Sequence, residues 1–337
     1  MPGRAILKRR FAFFNEIIEK EFGRYPMRKP HPLQPGQTIA LVAPAGPIQP
    51  EEIQPFIEAA SELKHPLWVG RHVYDRSGFL AGSDADRAAD LNAAFANDQV
   101  KAILCVRGGY GCSRILDDLD WEIIRANPKL FIGYSDVTTL HLALSRHADL
   151  ATFYGPMAVE ESVLPTSKAG KEIWGLMEGA CDWSPARYAG HPLKALQDGQ
   201  ATGRLAGGCL CLLAAAAGTP EQPVLDGCIV ALEDTNEALY RVDRMLTQLI
   251  RAGCLQNAAG FLLGNATNWQ QLEESPEEDA LDRIWLDRLG PLGKPILAGA
   301  PIGHEPQPLA IPLGCMARMD TAAGDVVLTE SPVNAQF

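Results

Sequence analysis

The chain has 337 residues, a formal net charge of -11, 47% apolar residues and 21% charged residues. Its length allows two globular domains at about 100–200 residues each. The acidic balance disfavours nucleic acid as a partner, because phosphate binding needs a basic face. No run of the sequence approaches the about 20 apolar residues of a membrane span, so we also expect no membrane partner.

Residues 1–36 precede the first strand pattern, and we expect them to be an appendage and linker. They hold an amphipathic helical stretch followed by the Pro-rich RKPHPLQPG. Arg9 and Arg10 before Phe11 suggest an export signal, but the polar NEIIEKEFGR follows where such a signal has its apolar core. We therefore expect no export signal, and Met27 is a second candidate start of the chain.

The region 37–165 alternates short apolar runs with stretches of helical spacing. The predicted strands are TIALVAP (38–44), PLWVG (66–70), VKAILCV (100–106), LFIGYS (130–135) and ATFYGP (151–156). The predicted helices are PEEIQPFIEAASELK (50–64), SDADRAADLNAAFAN (83–97), CSRILDDLDWEII (112–124) and DVTTLHLALSRHA (136–148). This alternation indicates an α/β domain with a parallel sheet and helices on both faces. Its functional site is expected at the carboxyl ends of the strands.

The regular alternation of strand and helix patterns ends after Pro156, and we place a domain boundary within 160–195. The stretch 191–220 is Gly-rich and predicts less regular elements. Short strands are predicted at CIVALE (228–233), AGFLLGNA (259–266), KPILAG (294–299) and DVVLTE (325–330), with one clear helix at 238–253. A second, β-rich domain is therefore expected over 190–335.

The cysteine pattern predicts free thiols. None of the eight cysteines forms a CxxC pair, and most lie in apolar or Gly-rich surroundings such as AILCV and GGCLCLL. Such spacing is typical of buried thiols in a reducing compartment, and disfavours a disulfide framework or a zinc site. We therefore expect a cytoplasmic protein without a metal or other cofactor.

The first two candidate motifs follow strands of the first domain. In VRGGYGCSR, Gly108, Gly109 and Gly111 either form a tight turn or present bare backbone N–H groups to an anion, as in an oxyanion hole. In GYSD, Ser135 is either a helix N-cap or a nucleophile lifted from the scaffold. The match to the nucleophile motif G-x-S-x-G is partial, because Val137 stands at the fifth position.

Two further motifs follow strands of the second domain. In IVALEDTNEALYRVDRM, Glu233 directly follows four apolar residues, and Glu237 is the competing acid. His304 lies in the Gly- and Pro-rich loop AGAPIGHEPQPLAIPLG, and a loop position after a strand favours a working role. Ser135, Glu233 and His304 would supply a nucleophile, an orienting acid and a base, which serine catalysis requires.

The chain resembles the bacterial LD-carboxypeptidases, also called muramoyltetrapeptide carboxypeptidases. The resemblance spans roughly 38–330 and rests on RGGYGCSRILDDLDW, IGYSDVTTLHLAL, TFYGPM, LAGGCLCLL, ALEDTNEALYRVDRMLTQL and IGHEPQPLAIPLG. It implies a flavodoxin-like N-terminal domain, a smaller β-rich C-terminal domain, and a metal-free serine peptidase that acts in the cytoplasm as a homodimer. By motif, the triad falls on Ser135, Glu233 and His304. The implied reaction releases the terminal D-Ala of murein tetrapeptides during cell-wall recycling.

The resemblance also suggests how the remaining candidates act. Backbone N–H groups of Asp136 and Gly109 would bind the oxyanion, with Asp136 also capping the following helix. Arg107, Arg241 or Arg244 would bind the terminal carboxylate of the substrate, and the sequence does not choose among them.

Two alternatives to this function stay open at this point. A subset of the family cleaves microcin-type peptidyl-nucleotides and confers immunity. Such a substrate needs an aromatic residue that stacks on the base, and Trp269 is the candidate. The other alternative is a binding module for sugars or amino acids without catalysis, in which Ser135 would not react with a fluorophosphonate.

Overall fold

The computed structural model describes residues 27–272 and 277–334. The amphipathic helix expected near the N-terminus lies outside these residues. Part of the expected linker packs against the first domain: Arg28 bridges to Leu150, and Leu33 is buried. Within the described ranges, no helix is both long and apolar enough to cross a membrane.

The described strands form a six-stranded and a seven-stranded sheet. They are Thr38–Val42 (β1), Leu67–Val69 (β2), Val100–Cys105 (β3), Leu130–Gly133 (β4), Thr152–Tyr154 (β5), Lys194–Gln197 (β6), Gln200–Cys209 (β7), Cys228–Thr235 (β8), Gly260–Thr267 (β9), Ile296–Ala298 (β10), Ile311–Leu313 (β11), Met316–Asp320 (β12) and Asp325–Leu328 (β13).

The α-helices are short, and several 3₁₀ turns join them to the strands. They are Gln54–Glu62 (α1), Asp84–Ala96 (α2), Trp121–Ala126 (α3), Thr138–Ala148 (α4), Lys168–Glu178 (α5), Pro185–Ala189 (α6), Leu210–Ala216 (α7), Leu239–Arg251 (α8) and Ala280–Leu289 (α9).

The first sheet has the predicted α/β architecture. Its order is β11-β5-β4-β3-β1-β2, and β1 to β5 are parallel, as their continuous apolar runs indicate. The order of these five strands is that of the flavodoxin-like fold, which confirms the expectation. The sixth strand, β11, comes from the C-terminal part of the chain and pairs antiparallel with β5. The chain therefore returns once to the first sheet.

One helix of the first domain was predicted in the wrong form. The stretch 112–124 forms two 3₁₀ turns, Cys112–Arg114 and Leu116–Asp118, before α3 begins. The Asp120 carboxylate accepts the N–H groups of Glu122 and Ile123 and so starts a new helix there.

The second sheet carries the predicted β-rich domain. Its order is β13-β12-β7-β8-β9-β10-β6, with β7 to β10 parallel and the outer strands antiparallel. The ten-residue strand β7 lies in the stretch for which we expected less regular elements. The exact domain boundaries remain a prediction, and α5 and α6 lie within the expected boundary region.

Both domains share part of their hydrophobic core. One cluster of buried side chains lies with α2 and α4 and includes Phe95, and a second lies with α8 and α9 and includes Trp285. A third contains residues of both sheets, among them Tyr154 and Leu205. Because this cluster joins the sheets, the ends of β4 and β8 are held at a fixed separation.

Candidate active site

Ser135 begins a tight turn at the carboxyl end of β4. Its φ of 63° lies in the left-handed region, where a residue other than glycine is strained by about 1–2 kcal/mol. The strand is held by His141, whose Nε2 lies 2.8 Å from the Gly133 carbonyl oxygen. A carbonyl oxygen only accepts, so Nε2–H donates there, and the Thr152 hydroxyl donates to Nδ1 at 2.8 Å. The turn is thus fixed from behind.

Asp136 does not cap the following helix, contrary to our expectation. Neither the 3₁₀ turn Ser135–Val137 nor α4 has a side-chain cap. The buried Asp136 carboxylate instead accepts the Cys112 N–H at 2.8 Å. Burial raises the pKa of Asp136, and the hydrogen bonds from Cys112 lower it in part. The left-handed turn therefore directs this side chain inward, where it ties the Ser135 turn to the Gly-rich turn.

The Gly-rich turn lies directly against Ser135. A side chain at Gly108 would place its Cβ 3.0 Å from the Ser135 Cβ, which is tighter than an ordinary van der Waals contact, so glycine lets the turn lie against Ser135. The Gly46 N–H donates to the Gly108 carbonyl at 3.0 Å and holds the turn against the loop after β1. The role of the Gly109 and Asp136 N–H groups as an oxyanion hole remains a prediction.

Ser135, His304 and Glu233 form a continuous chain of hydrogen bonds. His304 Nε2 lies 3.1 Å from Ser135 Oγ, and His304 Nδ1 lies 2.8 Å from Glu233 Oε2. The His304 backbone N–H also donates to Glu233 Oε2 at 3.1 Å. A side chain at Gly303 would collide with the Glu233 carboxylate, with its Cβ 2.0 Å from Oε2. The glycine before His304 therefore allows the loop to wrap onto the buried acid.

The electrostatics of this chain of bonds define the tautomer of His304. An ionised carboxylate only accepts, so Nδ1–H donates to Glu233, and Nε2 accepts the Ser135 hydroxyl proton. Burial lowers the pKa of His304, but the hydrogen bond and the charge of Glu233, with Asp234 and Glu160 nearby, raise it by more, and the net shift is upward. The arrangement can take a proton from the Ser135 hydroxyl and hold the resulting imidazolium.

Tyr154 is a site residue that the sequence did not single out. It is the last residue of β5 and is buried. Its hydroxyl donates to Glu233 Oε1 at 2.5 Å and accepts the Ser135 N–H at 3.3 Å. Burial, with the nearby charge of Glu233, raises the pKa of Tyr154 well above its usual range. The only sequence signal for Tyr154 is its place in TFYGP at the end of a strand of the first sheet. A single tyrosine at such a position is typical of core packing, so it does not indicate a site residue.

A second acid, Glu160, also lies near His304 and was missed. Burial raises the pKa of Glu160 to about 6, opposed in part by hydrogen bonds from Ser162 and Tyr134. The Tyr134 ring lies against the His304 ring, with centroids 4.9 Å apart. This acid follows the strand-end stretch GPM by several residues, where no motif marks it.

The three candidate arginines lie in two different places. Arg107 directly precedes the Gly-rich turn, and its guanidinium lies 3.5 Å from Glu52 Oε1 with the side chain 48% exposed. Arg241 and Arg244 lie exposed on α8, where both flank the Tyr240 ring. Arg107 is therefore the one joined in sequence to the turn that contacts Ser135.

Two competing candidates are placed away from the hydrogen-bonded chain. Glu237 forms an ion pair with Arg241 at 3.4 Å, while Glu233 contacts His304. Trp269 is 3% exposed and packs in the core of the second domain. It is therefore not available to stack on a nucleotide base, and the support that we gave it for a microcin-type substrate was wrong.

The site is identified by its side chains and not by the size of a cavity. A cavity of about 320 Å³ lies between the domains, lined by residues that include His141, Thr152 and Arg204. Ser135 and His304 do not line it. The cavity is therefore separate from the hydrogen-bonded chain, although His141, which holds the Gly133 carbonyl, lines it.

Comparison with known proteins gives one consistent family. The sequence profile of the LD-carboxypeptidase N-terminal domain matches residues 39–155, and that of the C-terminal domain matches residues 202–319. The chain is 36% identical to the "Probable murein peptide carboxypeptidase" of Bacillus subtilis, over 89% of this chain and 94% of the relative. It is 30% identical to the murein tetrapeptide carboxypeptidase of Pseudomonas aeruginosa, over 84% of this chain and 92% of the relative.

Solved structures agree with this assignment. The crystal structure of a muramoyltetrapeptide carboxypeptidase from Oxalobacter formigenes superposes with a TM-score of 0.75 at 28% identity, covering 86% of this chain and 97% of that one. The microcin C7 self-immunity protein of Escherichia coli is more distant, at 23% identity over 90% of this chain and 96% of its own. With both domain profiles matched in order, this chain belongs to the LD-carboxypeptidase family.

Proposed function

We propose that this protein is a serine carboxypeptidase that releases the terminal D-Ala from murein tetrapeptides by cleaving the bond between an L-centre and a D-residue. The observation that carries the proposal is the continuous hydrogen bonding from Ser135 through His304 to Glu233. The names of the relatives from Bacillus subtilis and Pseudomonas aeruginosa supply the substrate class.

In the first step, Ser135 Oγ attacks the carbonyl carbon of the scissile bond. His304 Nε2, 3.1 Å away, takes the hydroxyl proton and becomes an imidazolium. Glu233 accepts from Nδ1 at 2.8 Å, so it holds the tautomer and stabilises the positive charge. This pairing matters because a hydroxyl is a weak nucleophile without a neighbouring base.

The tetrahedral intermediate then collapses with expulsion of D-Ala. We propose that the N–H groups of Asp136 and Gly109 bind the oxyanion, because the Gly-rich turn contacts Ser135 and the Asp136 carboxylate ties the two turns together. Loss of one such donor typically costs about 10²–10³ in rate. His304 protonates the leaving amine, and water, activated by the same imidazole, hydrolyses the acyl-enzyme.

We propose Arg107 as the group that reads the free carboxylate of the terminal D-Ala. A guanidinium offers a planar pair of donors to a carboxylate. Arg107 is partly exposed beside the Gly-rich turn, and its weak contact with Glu52 at 3.5 Å can be exchanged for a substrate carboxylate. An Arg107→Ala variant should raise KM far more than it lowers kcat, while Arg241→Ala serves as the matched control on α8.

The cellular setting is part of the same proposal. A substrate derived from murein that is cleaved in the cytoplasm belongs to cell-wall recycling, and the free thiols agree with a reducing compartment. The homodimer is expected only by family resemblance. Sedimentation analysis of the full chain would measure it directly.

The deciding experiment is incubation of the protein with a disaccharide-tetrapeptide, followed by mass spectrometry. Free D-Ala and the matching tripeptide are the expected products, and EDTA should not lower the rate. Ser135→Ala should release nothing, and a fluorophosphonate should label the wild-type chain at Ser135 only. An unlabelled serine with no D-Ala release would favour a binding module and contradict the proposal.

A further inference from the structure

Two thiols and a carboxylate meet beside the candidate active site. All eight cysteines are free, and six are buried. Cys209 Sγ lies 3.3 Å from Cys211 Sγ and 3.5 Å from Asp234 Oδ1. The ligand atoms of these three residues all lie within 4.8 Å of one another. The mechanism above uses none of them.

The parallel pairing of β7 and β8 creates this cluster. Cys209 ends β7 and pairs with Glu233 on β8, so the next residue, Asp234, lies beside the start of α7. Cys211 is one residue further into α7 and directs its thiol back to Cys209. The cysteine spacing alone did not predict a metal site, because CxC is not a zinc motif and the third donor comes from another strand.

We infer that Cys209, Cys211 and Asp234 form a binding site for a single soft divalent cation of the Zn²⁺ class. Zn–S bonds of about 2.3 Å in a tetrahedral site place two sulfurs about 3.8 Å apart, so these thiols need to separate by only about 0.5 Å. Thiolates select such soft ions over Mg²⁺ and Ca²⁺. Cys211 is partly exposed, which gives the ion an entry path and leaves a fourth position for water.

The surroundings of the cluster favour a cation. Asp234 keeps its backbone hydrogen bonds from Cys211 at 2.8 Å and from Thr235 at 2.8 Å, and each carboxylate oxygen has a second lone pair for a metal. The buried carboxylate of Glu233, the residue before Asp234, adds negative charge beside the cluster. Binding converts two thiols to thiolates and releases two protons, so the metal replaces protons and no oxidant is needed.

A second group of possible metal ligands, at the surface, does not share these properties. His72, Asp75 and Asp86 also bring three donors together, but Asp75 is exposed and the contacts are ordinary surface ion pairs. It has no thiol and serves here as the competing location that the experiment must exclude.

Occupancy of the thiol site should slow catalysis, an expectation that rests on the proposed function. Asp234 directly follows Glu233, whose negative charge orients and stabilises His304. A cation beside this carboxylate weakens its hold on the imidazolium. The bound metal is therefore an inhibitor in this proposal, and the reaction itself needs none.

Titration of the reduced, metal-stripped protein with Co²⁺ tests the binding without reference to activity. One equivalent should bind with a thiolate-to-metal charge-transfer band and the visible bands of a tetrahedral site, and Zn²⁺ should displace it. Cys211→Ser should lose most of the charge-transfer intensity and weaken binding at least about tenfold. Cys181→Ser, which changes an exposed cysteine elsewhere, should bind as the wild type does.

The controls make each outcome decisive. Cys209→Ser is the second variant should Cys211→Ser fail to fold, as judged by thermal melting. Binding without a charge-transfer band, or binding abolished by Asp86→Asn, would place the ion at the surface cluster and overturn the inference. In the activity arm, Zn²⁺ should inhibit D-Ala release in the wild type and in Cys181→Ser at lower concentration than in Cys211→Ser. Stoichiometric binding with undiminished release would overturn the inhibitory role alone.

Discussion

Two walls meet at the candidate active site: the first wall is the Ser135 turn after β4, and the second wall is Glu233 on β8 with the His304 loop after β10. They prepare their side chains in different ways. On the first wall, Ser135 stands at the end of a regular parallel strand, and its φ of 63° stores backbone strain. On the second wall, Glu233 lies within β8 with no exposure, and the energetic problem is a buried charge. Strain and buried charge respond to substitution differently. Variants of the first wall should lose chemistry and keep stability, whereas variants of the second should lose both.

The buried charge is supported from both domains. Glu233 Oε1 accepts from Tyr154 on the first sheet, and Oε2 accepts from the backbone and the ring of His304. Removal of one partner leaves a buried charged group with an unmade hydrogen bond, which typically costs about 1–3 kcal/mol or more. The two walls are therefore coupled through one carboxylate.

The largest effect is expected from removal of the proposed nucleophile or the proposed base. Ser135→Ala and His304→Ala should each lower kcat by about 10⁴–10⁶, because such residues act as a unit. Their unfolding midpoints should differ: Ser135→Ala should match the wild type, and His304→Ala should be less stable, because Glu233 Oε2 loses the Nδ1–H donor and keeps only the backbone N–H. Kinetics with urea denaturation measures both. Equal stability of the two variants would break the contrast between the walls.

The next effect concerns the choice of acid. Glu233→Gln should lower kcat by about 10³–10⁴, because an amide no longer favours the imidazolium and permits the wrong tautomer. Glu237→Gln is the matched control, since Glu237 forms an ion pair with Arg241, whereas Glu233 is the acid that contacts His304. A dead Glu237→Gln with an active Glu233→Gln would reverse the assignment.

The pH dependence of the wild type should report the charge on the second wall. In the proposed mechanism the reactive form of His304 is neutral, and the pKa of His304 is raised above the ordinary value of 6.5 by Glu233 against the effect of burial. Log kcat/KM should therefore fall by about one per pH unit as the pH drops below this raised pKa. Glu233→Gln should shift the midpoint of this acid limb downward. An unshifted midpoint would mean that another group titrates.

A smaller effect is expected at Tyr154, which touches both walls. Tyr154→Phe removes the donor to Glu233 Oε1 and the acceptor of the Ser135 N–H, and should lower kcat/KM about tenfold for a loss of about 1.4 kcal/mol. Tyr188→Phe is the control, because it also breaks a tyrosine bond to an oxygen, that of Gln307. A similar loss of activity in both variants would point to a general effect on stability.

The first wall was largely predictable from the sequence. Strands β1, β4 and β5 are almost entirely buried, so each appears as a continuous apolar run, and Ser135 lies two residues after β4. Its hydrogen bonds were less predictable. We expected Asp136 to be a helix cap, since aspartate prefers that position, but the left-handed turn directs the carboxylate to Cys112.

The second wall was harder to predict, because packing overrides local preference there. Strand β7 contains three glycines, which are depleted in strands, and we expected irregular structure. At Gly207 an added Cβ would lie 2.0 Å from the Ala231 carbonyl oxygen, so close approach of β8 selects glycine. Neither the return of β11 to the first sheet nor the contact between Tyr154 and Glu233 leaves a local pattern, since both join residues far apart in the chain.

The smallest expected effect isolates the strain on the first wall. Ser135→Gly and Ser135→Ala both remove the hydroxyl, so their difference reports the backbone alone. Glycine relieves about 1–2 kcal/mol of left-handed backbone strain. It also costs about 0.4–1 kcal/mol, because it raises the conformational entropy of the unfolded chain. Ser135→Gly should therefore be more stable than Ser135→Ala by about 0.5–1 kcal/mol. The same pair at Ser145, exposed within α4, should show the opposite sign, because glycine weakens a helix interior. Urea unfolding of the four variants measures both differences. If Ser135→Gly were the less stable variant of its pair, the Ser135 turn would hold no backbone strain. The contrast between a first wall that is strained and a second wall that holds a buried charge would then be wrong.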